Sequence, residues 1–421
     1  MLFRSEEVSE SKYKNAWPEY EYKDGKNLYK GIDVGRGGYV RAKPGMYGKT
    51  LTLDVESMHP HSIIAMRMFG EYTDRFEDIV NARALIKHKK YDEAKKVLNG
   101  ELAPYLDNPS DMDALSKALK TAVNSVYGLT SAGFPNTFRD PRNVNNIVAL
   151  RGALFMAMLA DEVEEKGYTV IHVKTDSIKI PDADTDIETY CQNRAKEYGY
   201  KFDIEAKWDR ICLVNNAVFI GHQTSDSPQK PNQWTATGAQ FAHPIVFKSL
   251  FSKEKIDIDD YGETREVKAP ASIYLNIGKE GEPDYNFVGR VGRFIPVTKG
   301  GGIMFRHVIG TDKYSSVSNT KNYRWEEFEK VDKNVFDDVV YHKYYKELID
   351  NAKSTIEKFG SFEQFVDLQQ PLNNQQEIPW MTPCGRTDID CEGCSKFVKD
   401  HELCSVGYDI SDVMVSKKGS K

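Results

Sequence analysis

Two aspartates that follow β-prone segments are the residues best suited to metal-dependent chemistry. Asp54 ends the alternating segment 50–53, and Asp176 lies between the β-prone segments 169–173 and 177–180. A carboxylate at the end of a strand points out of the sheet, while the strand holds its backbone rigid. Two such carboxylates on neighbouring strands can share a pair of Mg²⁺ ions, which activate an attacking hydroxyl and stabilise the leaving oxygen of phosphoryl transfer. The alternative is that Asp54 caps a strand and Asp176 is an ordinary turn residue.

A predicted helix at 113–127, between the two aspartates, carries side chains that suit a nucleotide. Lys120, Asn124 and Tyr127 are spaced by four and three residues, so they share one helix face. Gly128 follows in the position where glycine commonly ends a helix. The face offers a cation for phosphate, an amide and an aromatic plane.

The preceding predicted helix, at 76–98, is basic. Residues 83–96 contain six cations and two carboxylates, which gives a local charge of 6 − 2 = +4. Arg83 and Lys87 are four residues apart, and together with Lys120 they suggest a grip on a triphosphate, with arginine suited to bidentate contact. The lysines between 89 and 96 are interpreted as an ordinary solvated face.

The surrounding elements must hold these side chains in place. The two β-prone segments around Asp176 are separated by Lys174-Thr175-Asp176, which predicts a hairpin. A long, mostly apolar helix is predicted at 144–166, a loop at 99–109, strands at 271–307 and helix at 325–359. The polar stretch before residue 30 is interpreted as a linker or arm.

Composition indicates a folded protein of two or three domains. The chain has 421 residues with 57 basic and 63 acidic side chains, so its formal charge is 57 − 63 = −6. This charge argues mildly against a nucleic-acid binder, although a sum over the chain can conceal local patches. The N-terminus lacks a signal-peptide pattern and no segment is apolar enough to span a bilayer, so we expect a cytoplasmic protein with no membrane partner.

A phosphate-binding loop is not indicated by Gly48-Lys49-Thr50. The full pattern requires a glycine five residues before Gly48, where this chain has Lys43. It also requires a following helix, whereas a strand is predicted. The six cysteines are too few for a disulfide framework, and Cys191 and Cys212 are interpreted as core residues.

Taken in order, these segments resemble the motifs of family B DNA polymerases of the bacteriophage type. Residues 54–60, Asp-Val-Glu-Ser-Met-His-Pro, resemble motif A, and residues 120–128 match every fixed position of motif B, Lys-x-x-x-Asn-Ser-x-Tyr-Gly. Residues 172–177, His-Val-Lys-Thr-Asp-Ser, are similar to motif C. Residues 35–38, Gly-Arg-Gly-Gly, resemble the element before motif A in protein-primed phage enzymes. The resemblance is firm over about residues 35–225 and weaker beyond.

The resemblance implies an α+β right-hand architecture: an antiparallel-sheet palm, two-helix fingers and a mixed α/β thumb. On this reading the regions are an N-terminal arm or linker at 1–48, palm at 49–70, fingers at 71–128, palm again at 129–235, thumb at 236–370 and a cysteine-containing tail at 371–421.

The resemblance also implies a reaction and residue roles. A primer 3′-hydroxyl would attack the α-phosphate of a dNTP on primer-template DNA and release pyrophosphate, with two Mg²⁺ ions, or Mn²⁺ as a substitute. The implied catalytic and metal-binding residues are Asp54 and Asp176, with the Val55 carbonyl as a further metal ligand. The implied nucleotide contacts are the backbone amides of Ser57, Met58 and His59 and the side chains of Arg83, Lys87, Lys120 and Asn124. The implied DNA contacts are Tyr127, Gly128, Lys174 and Thr175.

Three departures from the family pattern bear on activity. Lys174 replaces the first aspartate of motif C, and His59 replaces the tyrosine that gates against the ribose 2′-hydroxyl. Residues 216–219, Asn-Ala-Val-Phe, stand where a Lys-Lys-Arg-Tyr-like element contacts primer phosphate. These departures motivate an alternative, a catalytically silent polymerase-like DNA-binding subunit of a replication complex.

The 3′–5′ exonuclease domain usual in the family has no room before Asp54. A separate exonuclease chain is therefore an expected partner. The Asp-x-Glu at residues 54–56 also has the form of an exonuclease first motif, but a nuclease interpretation would leave motifs B and C as coincidences.

Four cysteines lie close together near the C-terminus. Cys384, Cys391, Cys394 and Cys404 include one Cys-x-x-Cys pair, and four thiolates suit tetrahedral Zn²⁺. Because the spacing is irregular, free thiols and an iron–sulfur cluster remain alternatives. Metal analysis of the purified protein decides among them.

Overall fold

A computed structural model describes residues 16–35, 37–139, 146–308 and 310–372, and the backbone of three short strands between residues 397 and 409. The chain divides into two units, Met1–Leu372 and Asn373–Lys421.

The first unit is mixed α/β with antiparallel sheets. Its strands are β1 (Tyr20–Lys23), β2 (Lys26–Tyr29), β3 (Ile32–Asp33), β4 (Val40–Ala42), β5 (Gly45–Tyr47), β6 (Thr50–Val55), β7 (His172–Lys174), β8 (Ser177–Pro181), β9 (Phe202–Leu213), β10 (Phe219–Gln223), β11 (Trp234–Thr237), β12 (Glu263–Glu266), β13 (Ala271–Asn276), β14 (Tyr285–Gly289), β15 (Val291–Val297), β16 (Ile303–Val308), β17 (Tyr314–Ser316) and β18 (Arg324–Glu327). Its α-helices are α1 (Met58–Ala65), α2 (Thr73–Lys87), α3 (Tyr91–Ala94), α4 (Pro109–Thr130), α5 (Ile147–Glu165), α6 (Thr185–Glu197), α7 (Ala239–Ala242), α8 (Pro244–Phe247), α9 (Phe336–Val339), α10 (His342–Glu357) and α11 (Phe362–Val366).

An eight-stranded antiparallel sheet is the frame of this unit. The strand order is β11-β10-β9-β6-β8-β7-β4, and β5 pairs with β9. In β6 the side chains alternate, so Leu53 and Val55 face one side while Thr52 and Asp54 face the other. The apolar face packs on α5, whose run from Ile147 to Val163 is almost entirely buried. The Asp54 side chain therefore lies on the face of the sheet opposite α5.

The N-terminal segment is part of the fold, which differs from the expected arm. Strands β1–β3 form a small antiparallel sheet, and Trp17, Tyr20 and Tyr29 are buried in the same core as α5. Strands β4 and β5 belong to the central sheet. The segment is polar overall, but its few large aromatic side chains bury enough area to hold it against the core.

Helices α1, α2 and α4 pack together beside the central sheet. Ile63, Phe76, Val80 and Val123 form their shared core. The helix predicted at 76–98 ends at Lys87, because Lys89 has a positive φ of 60° and the chain restarts as the short α3. Helix α4 begins earlier than predicted, where the Asn108 side chain accepts a hydrogen bond from the Ser110 amide.

The later residues of the first unit form two further antiparallel sheets, β12-β15-β18 and β14-β13-β16-β17. Ile273, Phe294 and Trp325 are buried between them and α9–α10. Strands were expected at 271–307 and are found there. The expectation of helix at 325–359 was wrong at its start, where β18 pairs with β15, and holds for α10.

A fully buried arginine fastens the end of this unit to the central sheet. Arg210 in β9 donates hydrogen bonds to the carbonyl oxygens of Gln364, Phe365, Asp367 and Gln370 at 2.7–3.2 Å. These are the last carbonyls of α11 and the turn after it, which have no partner within the helix. Cys191 and Cys212 are free and buried, as expected.

The second unit contains three short strands, β19 (Phe397–Val398), β20 (Leu403–Cys404) and β21 (Tyr408–Asp409), paired antiparallel in that order. The zinc hypothesis falls outside the described residues: the side chains of Cys384, Cys391, Cys394 and Cys404 are not described, and Cys404 is placed by its backbone alone. Among the described residues, no helix is long and apolar enough to cross a membrane.

Candidate functional site

Asp54 and Asp176 lie side by side at one end of the central sheet. Asp54 pairs with Ser177 in the β6–β8 register, and the Val55 amide donates a hydrogen bond of 2.8 Å to the Asp176 carbonyl. The hairpin predicted around Asp176 is confirmed as β7 and β8, paired from His172↔Lys179 to Lys174↔Ser177. The two carboxylates predicted to share metal ions are thus brought together.

The turn that contains Asp176 is tight, and the backbone of residues 38 and 39 packs against it. Thr175 has a positive φ of 56°, and its amide donates to the Tyr39 carbonyl at 2.9 Å. Gly38 lies against this turn with a φ of 139°, and a Cβ there would stand 3.0 Å from Thr175 Cγ2 and Oγ1. Glycine at position 38 therefore lets the backbone approach the Asp176 turn.

Both carboxyl groups are hard to ionise in the protein alone. Burial and the neighbouring charge of Asp176 raise the pKa of Asp54 to about 7. Burial likewise raises the pKa of Asp176. A third carboxylate, Glu205 of β9, adds to both shifts through its charge.

Glu205 was missed by sequence reasoning. It lies at an irregularity where Thr52 pairs with Ala206 and Leu53 with Ile204. A bulge of this kind redirects side chains, which a simple alternation does not predict. The available signal was the Asp-x-Glu pattern at residues 203–205, but the neighbour of β6 has to be known before that pattern has meaning.

A buried lysine lies near Glu205 and Asp54 and was also missed. Lys179 of β8 is 4% exposed, and its ammonium stands 5.1 Å from the ring centroid of Phe219. Burial lowers its pKa to about 8, although the charges of Glu205 and Asp54 act in the opposite direction. Lys174 is exposed and contributes a further positive charge near Lys179.

A second group of charges lies next to the first and is internally balanced. Lys87 contacts Asp203 at 2.8 Å and Glu56 at 3.7 Å, and Lys201 contacts the same two carboxylates at 3.7 and 3.1 Å. His88 Nε2 lies 3.0 Å from Glu56. Hydrogen bonds from these cations outweigh burial and lower the pKa of Glu56 and of Asp203.

Glu56, His88 and Asp203 have ligand atoms close enough to hold a metal ion, within 4.8 Å of one another. Two ammonium groups already occupy the same oxygens, however, so this balanced group has no charge left for a cation to neutralise. Lys87, predicted as a triphosphate contact, thus has carboxylates as its partners in this structure.

The amide-rich start of α1 faces the basic helix α2. Ser57 has a left-handed backbone conformation with φ of 54°, and its hydroxyl accepts a hydrogen bond from Arg83. The structure thus brings Arg83 to the helix start where anions bind well. The Met58 side chain is buried against Gly152, so this residue can offer only its backbone to a ligand.

His59 and Tyr127 form a stacked pair that joins α1 to α4. Their ring centroids are 4.2 Å apart with an interplanar angle of 9°. The Tyr127 hydroxyl donates to Asn146 Oδ1 at 2.8 Å, which ties the pair to the start of α5. Burial lowers the pKa of His59, so the ring is neutral at pH 7.

Lys120 and Asn124 are exposed on α4, on the same side as the half-buried Tyr127. The prediction that Gly128 ends this helix was wrong, because α4 continues to Thr130. A Cβ added at Gly128 would nevertheless meet nothing within 4 Å, so the backbone of this residue is open to a ligand.

The carboxylates of Asp54, Asp176 and Glu205 are oxygen ligands of the kind that a hard divalent cation takes, although among the described residues only Glu56, His88 and Asp203 have three ligand atoms within 4.8 Å of one another. Mg²⁺ prefers a few carboxylate oxygens and binds phosphate oxygens at its remaining positions. A cation there would stabilise the charged form of Asp54, which burial first and the neighbouring carboxylates second disfavour. The residues present therefore suit Mg²⁺ chemically.

A scan against protein-family models gives no match, and neither does a search of curated proteins. Solved structures similar to this chain include the family B DNA polymerase from the hyperthermophilic archaeon Pyrobaculum calidifontis, with a TM-score of 0.40 and 14% sequence identity. That alignment covers 75% of this chain and 46% of the polymerase chain. This chain thus spans less than half the length of that polymerase.

Proposed function

We propose that this chain is a DNA-templated DNA polymerase that adds dNTPs to a primer 3′-hydroxyl with two Mg²⁺ ions, in the replication of phage DNA. In this proposal the central sheet is the palm, α2 and α4 are the fingers, and the sheets after residue 236 belong to the thumb.

One observation carries the proposal: Asp54 and Asp176 stand together at a sheet end with charge that the protein leaves unbalanced. Burial first, and then the charges of Asp176 and Glu205, raise the pKa of Asp54 to about 7. Strongly perturbed carboxylates in such a position are typical of sites that bind a cation or move a proton.

The proposal gives the residues of the site roles in binding and orientation. Asp54, Asp176 and the Val55 carbonyl would hold Mg²⁺, which supplies charge stabilisation for phosphoryl transfer. The amides at 57–59, with Arg83, Lys87, Lys120 and Asn124, would hold the triphosphate and sugar of the dNTP. Tyr127 and Gly128 would lie along the nascent base pair, and Lys174 and Thr175 beside the primer end.

The proposal is tested by primer extension with Mg²⁺. The natural protein should extend a primer by one templated nucleotide, and Asp176→Ala should lose at least about a hundredfold in rate, because metal ions contribute several kcal/mol to transition-state stabilisation. Asp24→Asn changes an exposed aspartate in the turn between β1 and β2 and serves as the matched control. Extension that requires no divalent metal, or that survives Asp176→Ala, would contradict the proposal.

The second candidate is a catalytically silent DNA-binding subunit. Lys174 at the tip of the hairpin favours it, because a cation stands where the family has an acidic residue. The pairing of Lys87 with Asp203 points the same way. Binding of primer-template without any extension, under conditions where Mg²⁺ binding is measured directly, would select this candidate.

A further inference from the structure

A cleft of about 560 Å³ lies where the sheet β12-β15-β18 meets the sheet β14-β13-β16-β17. Strand β12 and the turn that follows it form one wall, and β16 with the end of β17 forms the other. Small-molecule sites in proteins commonly have volumes of about 300–1,000 Å³, so the cleft has the size of a ligand site. It shares no lining residue with the site at Asp54 and Asp176.

Arg306 of β16 points to the side of its sheet on which the cleft lies. It pairs with Ile273 of β13, and it lies two residues after the buried Met304. Because side chains alternate along a strand, Arg306 shares the core-facing side with both. Its Nε donates a hydrogen bond of 2.9 Å to Oγ of Ser315, the residue that pairs with it on β17. The guanidinium is thus oriented, while its two terminal amino groups have no acceptor among the described residues.

The opposite wall adds two further cations. Lys268 is exposed in the turn after β12 and forms no ion pair with a described residue. Arg265 is held by an ion pair with Glu263 and by the ring of Trp325, whose centroid is 5.3 Å from the guanidinium carbon. The buried Nε of Arg265 has no hydrogen-bond partner among the described residues. The one carboxylate of the lining, Glu266, pairs with none of these cations, so the cleft keeps positive charge and unused N–H donors.

The inner part of the cleft is apolar. It is formed by Ala271, which is 7% exposed, and by Val267 and Val317, which pack against the core between the two sheets. An occupant therefore needs an anionic group for the cations and a less polar part for this inner surface. A phosphate group suits arginine and lysine together, because it offers several acceptor oxygens and up to two negative charges. A phosphate ion alone would leave the apolar part of the cleft to water.

We propose that this cleft binds a phosphate monoester of nucleotide size, with the phosphate held by Arg306 and Lys268 and the remainder of the ligand on the apolar inner surface. The site is separate from the aspartate pair. It does not depend on the proposed catalytic function, because none of its residues has a role there.

The test is binding of dTMP to the full chain, measured by isothermal titration calorimetry in EDTA and without DNA. Arg306→Ala and Lys268→Ala should each raise the Kd about 5- to 50-fold, because each removes a charge-assisted hydrogen bond to phosphate. Both side chains are exposed, so we expect the variants to fold, and circular dichroism verifies this. Lys279→Ala removes an exposed lysine from the turn between β13 and β14 and is the matched control.

Other ligands test the two parts of the occupant. Thymidine, which lacks the phosphate, should not bind measurably, and inorganic phosphate should bind more weakly than dTMP. Equal dTMP affinity in Arg306→Ala and the natural protein overturns the proposal, as does thymidine binding as tight as that of dTMP. Inorganic phosphate binding as tightly as dTMP overturns the assignment to a ligand of nucleotide size. Oligo(dT) binding that depends on Arg306, without binding of dTMP, assigns the phosphate to a polynucleotide and overturns the proposed ligand.

A nucleotide is also the ligand of the proposed catalytic site, and Lys120→Ala separates the two sites. A dTMP affinity that is lost in Lys120→Ala and kept in Arg306→Ala places the ligand at the catalytic site and overturns the cleft proposal. Arg306-dependent binding by a protein that extends no primer supports the cleft and contradicts the catalytic proposal. Primer extension by a protein whose dTMP affinity is unchanged in Arg306→Ala does the reverse.

Discussion

Asp54→Asn should stabilise the metal-free protein, which is the opposite of what a structural carboxylate would do. Asp54 is surrounded by the charges of Asp176 and Glu205 and is largely buried. Asparagine has nearly the same shape and no charge, so it removes the cost of burying a charge and the repulsion by the neighbouring carboxylates. The stabilised variant should lose Mg²⁺ binding.

The magnitude follows from the pKa. Asp54 has a pKa of about 7 against an ordinary value of 3.8, a difference of about 3 pH units. Each unit corresponds to about 1.4 kcal/mol, so the charged form destabilises the fold by up to about 4 kcal/mol at pH 8. Partial access to water and relaxation of the site reduce this, and we expect about 2–4 kcal/mol.

The pH dependence has a defined sign. The folded protein binds the Asp54 proton more tightly than the unfolded chain does, so the stabilisation by that proton is full below pH 4 and is lost as the pH rises to about 7. Above pH 7 the natural protein carries the repulsion, whereas the asparagine variant never does. The difference in stability between the two should therefore be largest at pH 8 and close to zero at pH 4.

The assay is thermal unfolding in EDTA at several pH values, with Asp24→Asn as the control for loss of an exposed carboxylate. A gain of several degrees in Tm for Asp54→Asn at pH 8, absent at pH 4, is the expected result. If the variant is destabilised at pH 8, or if its gain does not depend on pH, then Asp54 is a structural residue and the argument for a cation site fails.

Three further predictions concern other parts of the molecule. Gly38→Ala should lower stability by about 1–3 kcal/mol and weaken Mg²⁺ binding, because its Cβ would meet Thr175, while Gly37→Ala, which meets nothing within 4 Å, should be nearly neutral in thermal unfolding and Mg²⁺ titration. Arg210→Met should lower stability by about 3–5 kcal/mol in thermal unfolding, since buried carbonyls of the α11 turn lose their donor, and an unchanged Tm would contradict this role. His59→Tyr should lower incorporation of rNTPs relative to dNTPs, and identical ratios in the two proteins would refute a role of His59 in sugar selection.

The elements nearest the candidate site were the most predictable. Strand β6, the β7–β8 hairpin and the buried helix α5 each have strong local patterns, namely alternation, a short turn between β-prone runs and a continuous apolar stretch. The N-terminal strands and β18 were not predicted, because their pairing depends on aromatic anchors such as Trp17 and Trp325 that are buried by distant parts of the chain.

The partners of individual charged side chains could not be predicted from the sequence. The spacing of Arg83 and Lys87 indicated one helix face, yet Arg83 reaches Ser57 while Lys87 turns to Asp203. Glu205 and Lys179 were missed because each acquires its meaning from a neighbouring strand, and strand order is a property of the fold rather than of a local segment.

Two clusters of carboxylates lie at the end of β6, and they differ in whether cations balance their charge. Glu56 and Asp203 are matched by the ammonium groups of Lys87 and Lys201, and their pKa values are lowered. This is the arrangement that fastens α2 to the sheet.

The group at Asp54, Asp176 and Glu205 has the opposite balance. The pKa of Asp54 rises because of burial first and then because of repulsion by Asp176 and Glu205, although the charge of Asp54 acts on the buried ammonium of Lys179. Such repulsion lowers the stability of the fold, and residues that do so are typically kept for function. A divalent cation would add nothing to the balanced group and would relieve the unbalanced one. We therefore propose metal chemistry at Asp54 and Asp176 rather than at Glu56, His88 and Asp203, where the carboxylates already have cationic partners.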